Sequence, residues 1–247
     1  MGITDVLQKL RLHQLACLDD FARLDTGRAL RKGVPEVVYA SRKNDADLEA
    51  IVRRFLEESG LALVSRLAPE RAASLQATLT KEPPGPDLVF SYDPGAGTLA
   101  VRTAAWAPPE ERGCVGVLTG GTADIPVAEE VVLVAAHMGC RVEKGYDVGV
   151  AGVHRLLEPL SRMLERGADV LVVVAGMEGA LPSVVAGLVD LPVIGVPTST
   201  GYGLGGDGTA ALYSILQSCS PGLLAVNIDN GIGAGAAAAL IARRCHH

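Results

Sequence analysis

From residue 114 onward the sequence repeats one pattern: a short strand-forming run, then a glycine-rich or polar loop, then a segment of helical length. The strand-forming runs are residues 114–119, 141–147, 169–175, 193–196 and 223–228. Such alternation builds a parallel sheet, and runs that are apolar throughout are typical of strands covered on both faces. The second half is therefore predicted to be an α/β domain whose parallel β-sheet carries helices on both faces.

The first half combines helices and strands without this repetition. Leucines and valines at near-helical spacing predict a helix over residues 4–24. Asn44 or Asp45 is expected to begin a second helix. Two runs of strand-forming residues, 87–92 and 98–103, flank a turn and predict a hairpin. We therefore expect a smaller α+β domain at the N-terminus.

A proline- and charge-rich segment, residues 104–113, interrupts both patterns and is typical of a domain boundary. We place the boundary inside it, which gives an N-terminal domain of residues 1–108 and a C-terminal domain of residues 109–245. The final pair, His246-His247, could be the remnant of an affinity tag and is left out of the site.

The composition argues against several classes of protein. The net charge is -6 and lysine and arginine form no run, so binding to nucleic acid is not expected. The five cysteines include no C-x-x-C pair, so neither a disulfide framework nor a metal site is expected. The N-terminal segment lacks the apolar core of a signal peptide, and no apolar run is long enough for a bilayer. We expect a cytoplasmic protein without membrane contact.

Polar and glycine-rich loops follow the predicted strands, where ligands of parallel α/β sheets bind. After the first strand, the glycines of residues 119–126 could hold a phosphate at a helix N-terminus. A tight turn in which Asp124 caps the helix explains the same residues equally well. After the second strand, His154 and Arg155 could bind phosphate, although an exposed surface pair is the more common explanation.

The remaining loops carry further candidates. Glu178 lies between glycines after the most apolar strand, where burial would suit proton transfer and a solvated loop residue is the alternative. The glycine-dense residues 197–208 could wrap a nucleotide, act as a lid or simply connect two elements. Asp229 and Asn230 could bind ribose hydroxyls or cap the last helix. Cys219, at the end of a predicted helix, gives no catalytic signal by itself, because most such cysteines are buried and inert.

Five of these segments together resemble one family. They are TGGTADIPVAEE, DVGVAGVHRL, GMEGALPSVVAGL, PVIGVPTSTGYG and VNIDNGIGAG. They resemble the pyridinium-3,5-biscarboxylic acid mononucleotide synthases, the LarB family, and the segments FARLD and RALRKGVPEVVYA in the first half look like the same family. More distantly, residues 113–245 are similar to the aminoimidazole ribonucleotide (AIR) carboxylases of purine synthesis. The resemblance implies a flavodoxin-like C-terminal sheet.

The resemblance also implies a reaction. The family adds a second carboxylate, from carbon dioxide or bicarbonate, to the pyridinium ring of nicotinic acid adenine dinucleotide and hydrolyses its phosphoanhydride. The products are pyridinium-3,5-biscarboxylic acid mononucleotide and AMP, the first step of nickel-pincer nucleotide synthesis for lactate racemase. No tightly bound cofactor is expected, and any Mg²⁺ would accompany the substrate phosphates. A homo-oligomer, octameric by resemblance, is expected, and the alanine-rich last helix would suit the close approach of another backbone.

The resemblance assigns roles to individual residues. Cys219 is the implied nucleophile, and Glu178 handles the ring proton or orients carbon dioxide. The residues implied in substrate binding are Gly121, Thr122, Ala123, Asp124, Asp147, His154, Arg155, Gly176, Met177, Ser199, Thr200, Tyr202, Asp229 and Asn230.

Two other functions are kept as alternatives. An AIR carboxylase acts on a substrate with its own nucleophilic carbon and needs no cysteine, but simple enzymes of that kind resemble only the second half of this chain. A nucleotide-binding module without catalysis would leave Glu178 and Cys219 without a purpose.

Overall fold

The computed structural model describes residues 16–18, 22–25, 27–81 and 87–246. They belong to two compact units divided between Pro108 and Pro109. The elements of the N-terminal unit are strands β1 (Ala16–Leu18), β2 (Ala22–Leu24), β3 (Val37–Tyr39), β4 (Leu61–Ser65), β5 (Leu88–Asp93) and β6 (Thr98–Thr103), and helices α1 (Arg28–Lys32), α2 (Asp45–Ser59) and α3 (Pro69–Leu79).

The N-terminal unit is built on a mixed four-stranded sheet in the order β3-β4-β6-β5. β3 and β4 are parallel, and β6 runs antiparallel to both of its neighbours. Helix α2 begins where predicted, because the Asn44 side chain accepts a hydrogen bond from the Asp47 N–H, and it ends at Gly60 in the left-handed conformation. Its apolar residues pack on the sheet around Val64 and Val101. The unit is therefore α+β, as expected.

The prediction of a helix over residues 4–24 is wrong where the structure describes that range. Ala16–Leu18 and Ala22–Leu24 pair as antiparallel strands, with Ala16 opposite Leu24. Short apolar runs satisfy either periodicity, and here cross-strand hydrogen bonds satisfy the backbone. The remainder of the predicted helix lies outside the described residues.

The C-terminal unit is a five-stranded parallel sheet. Its strands are β7 (Cys114–Thr119), β8 (Arg141–Gly145), β9 (Val170–Ala175), β10 (Val193–Pro197) and β11 (Leu223–Ala225), and its helices are α4 (Ile125–His137), α5 (His154–Glu165), α6 (Ala180–Ala186), α7 (Thr209–Leu216) and α8 (Gly231–Arg244). The strand order is β11-β10-β9-β7-β8 and every pair is parallel. This is the flavodoxin-like order, which confirms the predicted fold class.

Helices cover both faces of this sheet, as the apolar strands predict. Helices α5, α6 and α7 pack on one face, where Leu156 and Leu181 meet Leu171. Helices α4 and α8 pack on the other. The order in which strands are added reverses between β7 and β9: β8 lies on one side of β7, and all later strands lie on the other. Sheets of this kind bind ligands at such a switch point, outside the carboxyl ends of the strands.

The small residues of α8 are used within the chain. A Cβ atom at Gly231 would lie 2.2 Å from the carbonyl oxygen of Val127, and one at Gly235 would lie 2.7 Å from that of Val131. The backbones of α8 and α4 therefore touch. The alanine-rich helix consequently gives no argument for an oligomer, contrary to our expectation, since its small face is already occupied by α4.

In the part of the chain that the structure describes, every helix is too short or too polar to span a bilayer.

Candidate functional site

A cleft of about 430 Å³ lies at the switch point of the C-terminal sheet. Loops that follow β7, β8, β9 and β10 form its walls. The predicted site residues that line it are Gly121, Ala123, Asp124, Arg155, Gly176, Met177, Glu178, Thr200 and Tyr202. Its volume lies in the range of small-ligand sites, and it is large enough for a mononucleotide.

Asp124 is the buried centre of the cleft wall and is only 4% exposed. Its carboxylate accepts hydrogen bonds from the Thr198 hydroxyl at 2.6 Å, the Thr200 hydroxyl at 2.7 Å and the Gly121 N–H at 2.9 Å. It makes no side-chain cap of α4, so the simple helix-cap interpretation does not apply. Asp124 instead joins the loop after β7 to the loop after β10.

A second carboxylate fixes the same loop from the other side. Asp229 accepts hydrogen bonds from the Ser199 N–H at 2.9 Å and from the Ser199 hydroxyl at 2.6 Å. Its backbone is left-handed, with φ of 55°, a conformation that costs energy in a residue with a side chain. The three consecutive hydroxyl residues 198–200 therefore alternate between Asp124 and Asp229, and three loops are held together.

Arg155 supplies positive charge to the cleft. Its guanidinium lies 2.7 Å from the carboxylate of Asp147, another residue with a left-handed backbone, and both side chains are exposed. Asp147 does not line the cleft itself but holds the cation that does. An exposed ion pair of this kind is weak in water.

Glu178 lies on the rim of the cleft and is exposed, so the single chain does not provide the burial that we expected there. The turn that carries it is strained and closely packed. Met177 has a left-handed backbone, and a Cβ atom at Gly176 would lie 2.7 Å from the hydroxyl of Thr200. The glycine is therefore required for the close approach of the loops after β9 and β10.

The other predicted binding residues lie outside the cleft lining. Thr122 and His154 are exposed beside it. Asn230 caps α8, since its side chain accepts a hydrogen bond from the Gly233 N–H at 2.9 Å. The cap that the sequence allowed for Asn230 is thus present.

Thr198 and the segment 149–151 belong to the site but are absent from the predicted site residues, although both lie within motifs identified in the sequence. Thr198 is fully buried and bonds to Asp124, a contact between positions far apart in sequence that no local pattern reports. The usable signal for this segment in the sequence was Gly149, a glycine that follows a predicted strand. In the structure a Cβ atom at Gly149 would lie 2.5 Å from the carbonyl oxygen of Gly120. The glycine therefore allows the loops after β7 and β8 to approach closely.

Cys219 lies at the opposite end of the sheet from Glu178. Helix α7 ends at Leu216, so Cys219 is not in the helix as predicted but in the loop that leads into β11. Glu178 follows the carboxyl end of β9, whereas Cys219 precedes the amino end of β11. The five residues of β10 between these two edges span about 16 Å. One chain therefore does not bring the two predicted catalytic residues together.

The described thiols differ in environment. Burial raises the pKa of Cys114 and raises that of Cys140 to about 11, so both stay protonated near neutral pH. Cys219 and Cys245 are exposed. Brief treatment of the folded protein with iodoacetamide at pH 8 should therefore modify Cys219 and Cys245 well before Cys114 and Cys140. Peptide mass spectrometry measures the order, and early modification of Cys140 would contradict it.

Among the residues that the structure describes, no group of three or more histidine, cysteine, aspartate or glutamate side chains could hold a metal ion.

Comparison with known proteins adds to this geometry. Residues 114–247 match the AIR carboxylase family, and residues 16–103 match the LarB/PurE-like N-terminal domain. The chain belongs to the AIR carboxylase family. Within this family member, the cleft lies in the AIR carboxylase part, and the N-terminal unit carries the second match.

Individual relatives cover either the whole chain or about half of it. A protein of Methanocaldococcus jannaschii described only as uncharacterized is 40% identical over 250 residues, which cover all of this chain and 93% of that protein. The N5-carboxyaminoimidazole ribonucleotide mutase of Thermotoga maritima is 34% identical over 134 residues, 51% of this chain and 73% of the mutase. The mutase of Mycobacterium tuberculosis is 35% identical over 140 residues, 55% of this chain and 75% of the mutase.

Proposed function

We propose that this AIR carboxylase family member carboxylates the pyridinium ring of nicotinic acid adenine dinucleotide and hydrolyses its phosphoanhydride, giving pyridinium-3,5-biscarboxylic acid mononucleotide and AMP. The observation that carries the proposal is the cleft, in which a carboxylate, Glu178, and a cation, Arg155, line a volume that would hold the nicotinic acid mononucleotide half of this dinucleotide. The match to a LarB/PurE-like N-terminal domain supports a pyridinium substrate, because the mutase relatives match only about half of the chain.

A pyridinium ring is electron-poor and does not attack carbon dioxide by itself. Addition of the Cys219 thiolate to the ring carbon para to nitrogen gives a neutral dihydropyridine, whose enamine carbon then forms a bond to carbon dioxide. Glu178 takes the proton from that carbon, and departure of the thiolate restores the aromatic ring. The electrons balance without an oxidant, and the cysteine is regenerated.

This chemistry requires Cys219 from a second copy of the chain, because one copy keeps it at the far end of the sheet from Glu178. The surface around Cys219 supports such a contact. Tyr213 and Leu216 on α7 and Leu224 on the edge strand β11 are between 53% and 64% exposed. Large apolar side chains that lie close together on a surface are typical of protein interfaces. The proposed active site is therefore shared between subunits of a homo-oligomer.

The substrate phosphates are assigned to Arg155, which exchanges its ion pair with Asp147 for the anion. Any Mg²⁺ would arrive with these phosphates, since ligands of Mg²⁺ are usually substrate oxygens with one or two carboxylates.

The decisive test is incubation of the purified protein with nicotinic acid adenine dinucleotide and ¹³C-bicarbonate, followed by mass spectrometry. The expected products are a mononucleotide with one additional labelled carboxylate and an equal amount of AMP. NAD without bicarbonate should form a dihydropyridine adduct that absorbs in the near ultraviolet, and Glu178→Gln should keep this adduct. Absence of both products would reject the proposal.

An AIR carboxylase or mutase activity is the second candidate, and the identity to the named mutases favours it. Its substrate has a nucleophilic carbon and needs no thiol. Full activity of Cys219→Ala on aminoimidazole ribonucleotide or its N5-carboxy form would therefore favour this candidate over the first.

A further inference from the structure

Cys219 lies in a short loop that is hydrogen-bonded on both sides of the cysteine. The loop follows helix α7, and the Ser218 N–H donates to the carbonyl of Ile215, in that helix, at 3.3 Å. Beyond the cysteine, the carbonyl of Gly222 accepts a hydrogen bond from the Val193 N–H on β10 at 3.1 Å. The side chain of Cys219 is exposed, so packing does little to fix its position and the neighbouring residues must do so.

Ser220, the residue after the cysteine, connects this loop to a different helix. Its hydroxyl donates to the carbonyl of Ser183 in α6 at 2.9 Å, and its N–H donates to the hydroxyl oxygen of Ser218 at 3.1 Å. Both directions follow from the groups themselves, since a carbonyl only accepts and a backbone N–H only donates. The helix that follows Glu178 in the chain therefore also holds the loop that carries Cys219.

The chemistry proposed for Cys219 depends on where the sulfur lies. A thiolate that adds to a ring carbon must approach it to about 3–3.5 Å in the right direction, and an error of about 1 Å can lower a rate about 10²-fold. A loop that moves freely would place the sulfur in many positions, of which few lead to reaction. The hydroxyl of Ser220 removes part of this freedom, because it ties the residue next to the cysteine to the backbone of a packed helix.

We propose that Ser220 is a positioning residue whose hydroxyl holds the loop of residues 217–222, so that the Cys219 thiol is presented to the substrate in one place. The inference deepens the proposed function and rests on it for the role of the thiol. In this role Ser220 acts through the cysteine and contacts no reacting atom. Loss of its hydroxyl should therefore slow the addition of the thiol to the ring without weakening the binding of the substrate in the cleft.

The test compares Ser220→Ala and Ser220→Thr with Ser59→Ala, a matched control in the N-terminal unit whose hydroxyl also donates to a backbone carbonyl, that of Phe55, at 2.8 Å. Hydrogen–deuterium exchange of the peptide that covers residues 217–222 should be about three- to tenfold faster in Ser220→Ala, the effect of one neutral hydrogen bond. For incorporation of labelled carboxylate, kcat should fall about 10- to 100-fold while KM stays within about twofold. Ser220→Thr keeps the hydroxyl and should restore both values, and Ser59→Ala should change neither.

A small reagent separates the position of the thiol from its reactivity. Iodoacetamide reaches an exposed thiol from many directions, so it should modify Cys219 at the same rate in Ser220→Ala and in the wild-type protein. A fall in this rate as large as the fall in kcat would overturn the inference, because the hydroxyl would then act on the reactivity of the thiol.

Three further results would overturn the inference: unchanged exchange of the loop in Ser220→Ala, faster exchange with an unchanged kcat, or an equal fall in kcat in Ser59→Ala. The proposed function fails in a different way. If the wild-type protein makes no labelled product, the proposed substrate is wrong, and the exchange of the loop alone then decides the inference, with faster exchange in Ser220→Ala supporting it.

Discussion

Mixing Glu178→Gln protein with Cys219→Ser protein is expected to restore a carboxylation activity that neither variant has alone. Glu178→Gln should lower the rate about 10²- to 10⁴-fold, the usual contribution of a general acid or base. Cys219→Ser should lower it on the order of 10³-fold or more, because a serine hydroxyl without a base is a poor nucleophile. If each site takes Glu178 from one copy and Cys219 from another, random assembly makes about one quarter of the sites intact.

The measurement is the rate of labelled carboxylate incorporation after the two variants are co-expressed or refolded together. The double variant, mixed with the single variants in the same way, should restore nothing. Cys245→Ser is a matched control, since Cys245 is also exposed and lies outside the proposed site, and it should keep full activity. A mixture no more active than its components would mean that the two residues do not act across subunits.

The largest effect on stability is expected from Gly231→Ala. The new Cβ atom would lie 2.2 Å from the carbonyl oxygen of Val127 and 2.8 Å from Cβ of Glu130, so α8 must move away from α4. Overpacking of this kind typically lowers the free energy of unfolding by about 1–3 kcal/mol. Because the new atom meets the backbone of α4, we expect a loss of about 3 kcal/mol for Gly231→Ala. The corresponding fall in the melting temperature is roughly 5–10 °C for a unit of this size.

Gly187→Ala provides the comparison. Gly187 also lies at a helix end, but its φ is -78° and the nearest atoms to a new Cβ are 3.5 Å away. The Gly187→Ala protein should melt within about 2 °C of the wild-type protein, since surface substitutions usually change stability by less than about 0.5 kcal/mol. Calorimetric melting of the three proteins measures both effects, and similar curves for Gly231→Ala and the wild type would contradict the close packing of α4 and α8.

The parallel sheet was predictable because its strands carry an unambiguous signal. A run such as Val170–Ala175 is buried on both faces, and the loop that follows it must lie at the carboxyl edge. That edge is where the cleft is found, so most of its lining could be named in advance. The segment around Ala16 gave no such signal, because short apolar runs fit a helix or a strand.

Contacts between distant loops could not be read from the sequence. Asp124 was a candidate on local grounds, but its partners Thr198 and Thr200 reach it only through the order of the strands. The position of Cys219 was missed for a similar reason: α7 ends at Leu216, and the cysteine then lies beside the start of β11 instead of at the cleft.

The close contact of α8 with α4 has a consequence for folding during synthesis on the ribosome. β7 and β9 are fully buried at Val117 and Val172, on the face that α8 helps to cover. While the ribosome is still translating residues 231–244, that face has only part of its cover. The C-terminal unit must therefore complete its folding after most of its sequence has emerged, and the nascent chain displays an apolar sheet to the chaperones around the tunnel exit until α8 arrives.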